Sequence, residues 1–173
     1  MALTILTYPD ERLKIPSEPV EKIDPPLLDF IRELEAAMRA GPGGVGIAAP
    51  QVGRNIRVAI VDVSSKPKVK GHGRMILINP EITKWDGLAV GREGCMSVPD
   101  FTGNVIRAER ITLSALDETG AERTYEMEGF EARAVQHEID HLDGLLFLDR
   151  LVSRSGDLFR RKVYKKPDGG GEK

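Results

Sequence analysis

The pentapeptide His137-Glu138-Ile139-Asp140-His141 constrains the fold more than any other part of the chain. On a helix its two histidines share one face, where a pair of imidazoles can grip one metal ion while the intervening glutamate handles a proton. The stretch from about Phe130 to Asp143 reads as that helix, and Gly144 supplies a left-handed stop. Phe130, Ala134, His137 and His141 fall on one side, so an apolar face runs into the ligand face without interruption. A helix whose reactive face points inward must be covered by other elements. The expected fold is α+β, with β-sheets surrounding a central helix that carries the HExxH motif.

The rest of the chain supplies the cover. Asp24-Pro25 reads as an N-cap followed by proline, after which Leu27, Ile31, Leu34 and Met38 recur on one helical face until Gly41-Pro42 stops it. Arg57 to Val63 and Met75 to Ile78 are apolar and β-branched enough for strands, separated by a polar loop from Ser64 to Arg74. Ile111 to Leu116 and Arg123 to Met127 flank Asp117-Glu118-Thr119-Gly120, the signature of a hairpin. With 173 residues the chain is expected to form one domain over 1–166, followed by a disordered Gly-rich tail over 167–173.

A catalytic site of this kind takes three protein ligands and leaves a position for water. Downstream of the motif, Phe147 stands where a metzincin would place its third histidine, and Glu172 is the sole later glutamate. Upstream, two candidates remain open: the lone cysteine Cys95, and His72 between Gly71 and Gly73. His72 adjoins a Lys-rich loop and is poorly placed to fix a ligand geometry. Cys95 is favoured; it follows a glycine and precedes the alternation Met96 and Val98, so it reads as ending a turn and entering a strand edge that faces the helix. A single cysteine excludes an internal disulfide framework, and a thiolate ligand suits a cytoplasmic setting.

The formal net charge of −2 points neither to DNA nor to an anionic interaction tail. No apolar run approaches a membrane span. Gly44-Val45-Gly46-Ile47-Ala48-Ala49 meets the loose GxGxxA form of a dinucleotide fingerprint, but it follows a helix rather than a strand and Pro50 interrupts what comes next.

Three segments taken together resemble the peptide deformylases of bacterial type. They are Gly44-Val45-Gly46-Ile47-Ala48-Ala49-Pro50-Gln51, Glu93-Gly94-Cys95-Met96-Ser97 and Gln136-His137-Glu138-Ile139-Asp140-His141, corresponding to GxGxAAxQ, EGCxS and QHExDH in that order. The resemblance implies hydrolysis of the formyl group from the formyl-methionine of newly made polypeptides, with one divalent metal held by Cys95, His137 and His141. Ferrous iron is the implied metal, and Zn2+, Ni2+ or Co2+ the implied substitutes. It also implies that the side-chain amide of Gln51 and the backbone N–H of Met96 stabilise the oxyanion.

The residues themselves make chemical sense of this. One thiolate and two neutral imidazoles leave a divalent ion with net charge +1, enough to acidify a bound water. Glu138, beside the ligands, can take that water's proton and pass it to the departing amine. Gly46 would let a substrate backbone approach closely, and Val45, Phe130 and Ala134 are candidates for the methionine side-chain pocket. Where many family members carry arginine three residues beyond Pro99, this chain has Thr102, so the peptide grip is expected from Asn104 or Arg107. Basic residues at Arg154, Arg160, Arg161, Lys162, Lys165 and Lys166 suit either a solvated face or a ribosome contact. The competing readings are an HExxH peptidase that uses His72 or water as third ligand, and a non-catalytic metal-bearing module that docks on ribosomal RNA.

Overall fold

A computed structural model of the chain describes residues 3–41, 44–153 and 156–161. Pro42 at the expected helix stop, the basic Arg154, Lys162, Lys165 and Lys166, and the tail over 167–173 lie outside the described residues.

Helix α1, Pro25–Ala40, starts as expected: the Asp24 carboxylate accepts the Leu27 N–H at 3.0 Å, which satisfies one of the orphan donors of the first turn. Its buried stripe of Leu27, Phe30, Ile31, Leu34 and Met38 packs against one face of a sheet. The first strands of that sheet are β1, Gly46–Ala48, and β2, Val58–Val61, the latter shorter at both ends than expected. Side chains of a strand alternate between faces, so Val58 and Ile60 point into the α1 core while Ala59 and Val61 enter the core beneath the second helix.

The main departure from expectation is a long hairpin. Strand β3 runs from Met75 to Cys95 and β4 from Val98 to Leu116, where the sequence suggested only Met75 to Ile78 and Ile111 to Leu116. The inner parts of these strands are apolar and buried. The outer parts carry glycines, charges and register shifts between Ile78 and Glu81, Ile82 and Lys84, and Glu93 and Cys95, which erase a clean period-two pattern. Cys95 therefore closes β3 and pairs with Val98, rather than entering the strand that follows. Strand β5, Glu122–Glu128, pairs with β4 across the expected Asp117 turn, and β6, Leu158–Arg160, pairs with the far end of β4.

Among the described residues the six strands form one sheet in the order β1-β2-β3-β4-β5, with β6 added to β4. Helix α2, Gly129–Leu142, packs against β1, β2, β4 and β5, so the α+β arrangement around a central helix is present, built from one continuous sheet. The helix ends at Leu142 with Asp143 as its cap, and Gly144 follows with φ 80° as the left-handed stop. Among the described residues no helix is long and apolar enough to cross a membrane.

Candidate metal centre

The four-residue spacing on α2 stacks His137 and His141 edge to face, with ring centroids 5.0 Å apart. The end of β3 brings Cys95 to them, its Sγ 3.3 Å from His141 Nε2. The potential donor atoms of Cys95, His137 and His141 all lie within 4.8 Å of one another, and all three residues are buried.

The electrostatics of the cluster suit a cation. Burial alone would push the Cys95 thiol up, but the charge of His141 and the hydrogen bonds of both histidines hold it well below its ordinary value. Burial would likewise push His137 down, yet Cys95 and Glu93 hold it well above the usual imidazole range. The site thus favours a thiolate beside protonated nitrogen, a charge pattern that a divalent ion reproduces when it displaces the protons. His141 Nδ1 is buried and has no hydrogen-bond partner. One sulfur and two nitrogens converging on one point fit a metal of borderline softness.

His72 is not part of this cluster. Its backbone N–H donates to Glu131 at 2.6 Å, its Nδ1 lies 2.7 Å from the same carboxylate, and its ring meets Tyr125 edge-on at 5.2 Å. The third donor beside the two histidines is Cys95.

Behind the donors lies a charge network that sequence reasoning missed. His137 Nδ1 lies 2.9 Å from Glu93 Oε1, which leaves Nε2 as the nitrogen free to face a metal. Glu93 also receives both prongs of the Arg107 guanidinium at 2.9 Å and Arg133 at 2.8 Å. Burial pushes the Glu93 carboxyl up, but the hydrogen bonds from Arg107 and His137 outweigh it and keep the group ionised. Arg107 further binds Asp140, which Arg150 also holds. Arg107 was expected to grip the peptide. It is buried and fully engaged by two carboxylates, so it cannot. Asn104 is also spoken for, donating to Asp157 and accepting from Arg92. Glu93 and Asp140 sit inside the EGCxS and QHExDH segments, which was the available signal; nothing local in the sequence marked Arg107 as buried.

Glu138 follows His137 on α2 and is buried, with Oε1 lacking any hydrogen-bond partner. Burial lifts its carboxyl to about 7 against the lowering influence of His137 and His141. Gly46 lies directly opposite: a Cβ there would sit 2.6 Å from Glu138 Oε2. The missing side chain at 46, expected to admit the substrate backbone, thus also makes room for the carboxylate.

Gln51 lies on a 3-10 turn, Ala49–Val52. Its Oε1 accepts the Ala48 N–H at 3.0 Å, which fixes the amide so that Nε2 donates to Ser97 Oγ at 3.1 Å and approaches Cys95 Sγ at 3.6 Å. The N-terminal segment braces this corner, with the Leu6 N–H donating to the Gln51 carbonyl and the Tyr8 N–H to the Ser97 carbonyl, both at 2.7 Å.

A cavity of about 610 Å³ opens over the cluster, and Cys95, His137 and Glu138 reach its surface. Gln51 and Met96 line it too, as do Val45, Gly46, Phe130 and Ala134, the residues singled out for a substrate pocket. His141 lies beneath, 1% exposed. Phe130 is half exposed at 40%, whereas Ala134 is buried.

Comparison with known proteins follows the same lines. The sequence model of the family described as polypeptide deformylase matches residues 2–156. A peptide deformylase of Pelodictyon phaeoclathratiforme is 43% identical over 165 residues, covering 95% of this chain and 85% of the relative. Among solved structures, a peptide deformylase from Legionella pneumophila superposes with a TM-score of 0.81 at 38% identity, covering 90% of each chain. A class I type b peptide deformylase from Acinetobacter baumannii, in its Met-Ala-Ser-bound form, gives a TM-score of 0.81 at 35% identity, covering 87% of this chain and 99% of that one.

Proposed function

The chain belongs to the polypeptide deformylase family, and from that premise we infer that it hydrolyses the N-formyl group from the formyl-methionine of newly made polypeptides, releasing formate. The observation that carries this reading is the Cys95 sulfur set against the two imidazoles of α2, with Glu138 and Gln51 opening onto the same cavity. The relative that binds Met-Ala-Ser supports it, because that tripeptide is what deformylation of formyl-Met-Ala-Ser leaves behind.

Cys95, His137 and His141 would hold one divalent ion, which supplies Lewis acidity that makes water nucleophilic and polarises a carbonyl. Glu138 accepts the proton as water adds to the formyl carbon, and returns it to the amine nitrogen as the C–N bond breaks. Burial raises this carboxyl while the neighbouring imidazoles lower it, an environment that suits a group that both takes up and gives back a proton. Gln51 Nε2, held beside the sulfur, and the Met96 N–H, next to the same ligand, donate to the oxygen on which negative charge develops. A neutral amide is apt here because its donor never titrates. Val45, Phe130 and Ala134 are assigned to the methionine side of the cavity, and Gly46 to close approach of the substrate backbone.

For the ion we propose ferrous iron, with Zn2+, Ni2+ or Co2+ as substitutes, since thiolate and imidazole suit all four. The catalytic unit is assigned to residues 1–166 and the setting to the cytoplasm. A ribosome contact through the basic C-terminal segment is tested by a pull-down that should weaken with salt and vanish on truncation after Arg150.

The decisive experiment is elemental analysis of anaerobically purified protein together with formate release from formyl-Met-Ala-Ser. One metal equivalent and rapid release are expected. Cys95→Ala should lose both. Glu138→Gln should keep the metal while turnover falls by roughly 10²- to 10⁴-fold. Persistent turnover in Glu138→Gln, or a full metal equivalent in Cys95→Ala, would overturn the assignment of roles.

A further inference from the structure

Strand β6 ends at Arg160, and its pairing along the edge of β4 carries the chain on to Arg161, whose backbone N–H donates to the Asp100 carbonyl at 2.8 Å. From there the Arg161 guanidinium reaches into the cavity over the metal cluster and lies against Gly94. Any Cβ at position 94 would overlap Arg161 Nη2. Gly94 immediately precedes the donor Cys95.

A second guanidinium stands beside the first. Arg92 also lines the cavity, stacks on the Phe159 ring of β6 at 3.9 Å, and donates to Asn104 at 3.1 Å and to Thr102 Oγ1 at 3.4 Å. The Thr102 methyl meets the same point over Gly94 that Arg161 crowds. Both cations therefore gather at one corner, and among the described residues neither is paired with a carboxylate. Arg161 Nε is buried without a partner. Two neighbouring carboxylates are committed elsewhere, Glu93 to Arg107, Arg133 and His137, and Asp157 to Asn104, while Asp100 meets Arg161 through its backbone carbonyl. Lys66 adds a third cation at the Phe130 side of the cavity, its ammonium 6.0 Å from that ring.

Two like charges held together without a counter-ion call for an anion, and the cavity says where it comes from. The cavity that Arg161 and Arg92 line is the one that opens over Cys95, His137 and Glu138, so the residues after the methionine of a peptide bound there lie in the space these guanidinium groups face. We propose that Arg161, with Arg92 beside it, makes the enzyme select formyl-methionyl peptides that carry an acidic side chain at the second or third residue. This rests on the deformylase reading above and adds the sequence preference to it.

The test compares kcat/KM for formyl-Met-Ala-Ser, formyl-Met-Asp-Ser and formyl-Met-Ala-Asp at low and high salt, using amidated C-termini so that the side chain is the sole added anion. An exposed charge pair gives about a fivefold preference for an acidic peptide at low salt, shrinking toward unity in 0.5 M salt. In Arg161→Gln the ratio of acidic to neutral substrate should collapse toward one. Arg161→Lys, which keeps the charge, should retain a preference. Equal kcat/KM for all three peptides in the unaltered enzyme, or a preference that survives in the double variant Arg92→Gln, Arg161→Gln, would overturn the proposal and leave the deformylase reading standing. No formate from any peptide would remove the deformylase reading first.

Discussion

Gly46 and Glu138 show how much a single missing atom can matter. The carboxylate must stay beside the donor cluster, and three of its side-chain atoms, Oε2, Cδ and Cγ, fall within 3.1 Å of where a Cβ of residue 46 would be. Glu138 is held on the buried side of α2, so a Cβ at position 46 would push its carboxylate out of place, toward the cavity it lines. Gly46→Ala should therefore displace the proton carrier without touching a donor, so kcat should fall by roughly 10²-fold or more while metal content stays unchanged. A variant with kcat within twofold of the parent would mean that the carboxylate works from some other position. The donors themselves were legible in the sequence because two histidines flanking a glutamate, and one cysteine in the whole chain, leave few arrangements to consider. Arg107 was misread for the opposite reason: a guanidinium looks alike in sequence whether it meets solvent or closes a buried ring of carboxylates. Only the distances to Glu93 and Asp140 tell the two apart.

The same contrast holds for elements. α1, α2 and the β4–β5 hairpin were legible because each carries local punctuation: an Asp24 cap, a Gly144 stop, an Asp117 turn. The outer half of the β3–β4 hairpin was not, since its pairing is non-local and its exposed Trp85, Leu88 and Val90 share the strand with charges and glycines. The Asp117 turn can be tested by itself. Asp117 Oδ1 accepts the N–H groups of Thr119 and Ala121 and the Thr119 hydroxyl, and Oδ2 accepts from Arg123. The Thr119 hydroxyl first, and then Arg123, hold the carboxyl well below the ordinary aspartate value near 3.8. A group depressed in the folded state stabilises fully above its unfolded pKa and loses that contribution as pH falls toward the folded one. Asp117→Ala should cost about 1–3 kcal/mol at pH 7, read as a drop in Tm of roughly 3–8 °C. The gap to the parent should narrow as the pH is taken below 4. A gap that is constant or wider at pH 3 would mean that the ionised turn contributes nothing.

For the molecule as a whole, the donors join parts that are remote along the chain. Cys95 ends the long hairpin, whereas His137 and His141 belong to the central helix, and the N-terminal segment is pinned to the same corner through Gln51 and Ser97. The expectation of strands around a helix was correct, but one continuous sheet with three register shifts lies beyond local patterning, because register is set by partners far away in sequence. An ion bound only by the assembled fold stabilises that fold by mass action, by about 4 kcal/mol at a thousandfold excess over Kd. In a chain of this size that corresponds to a rise in Tm on the order of 10 °C. Chelator-treated protein should therefore melt lower and regain its Tm when zinc or nickel is restored. Cys95→Ser should melt near the metal-free value with or without added ion, because a neutral hydroxyl does not replace the thiolate. If Cys95→Ser instead showed the full metal-dependent rise, the sulfur would not be tying hairpin to helix, and the cluster would have to be held by the two imidazoles and some donor other than residue 95.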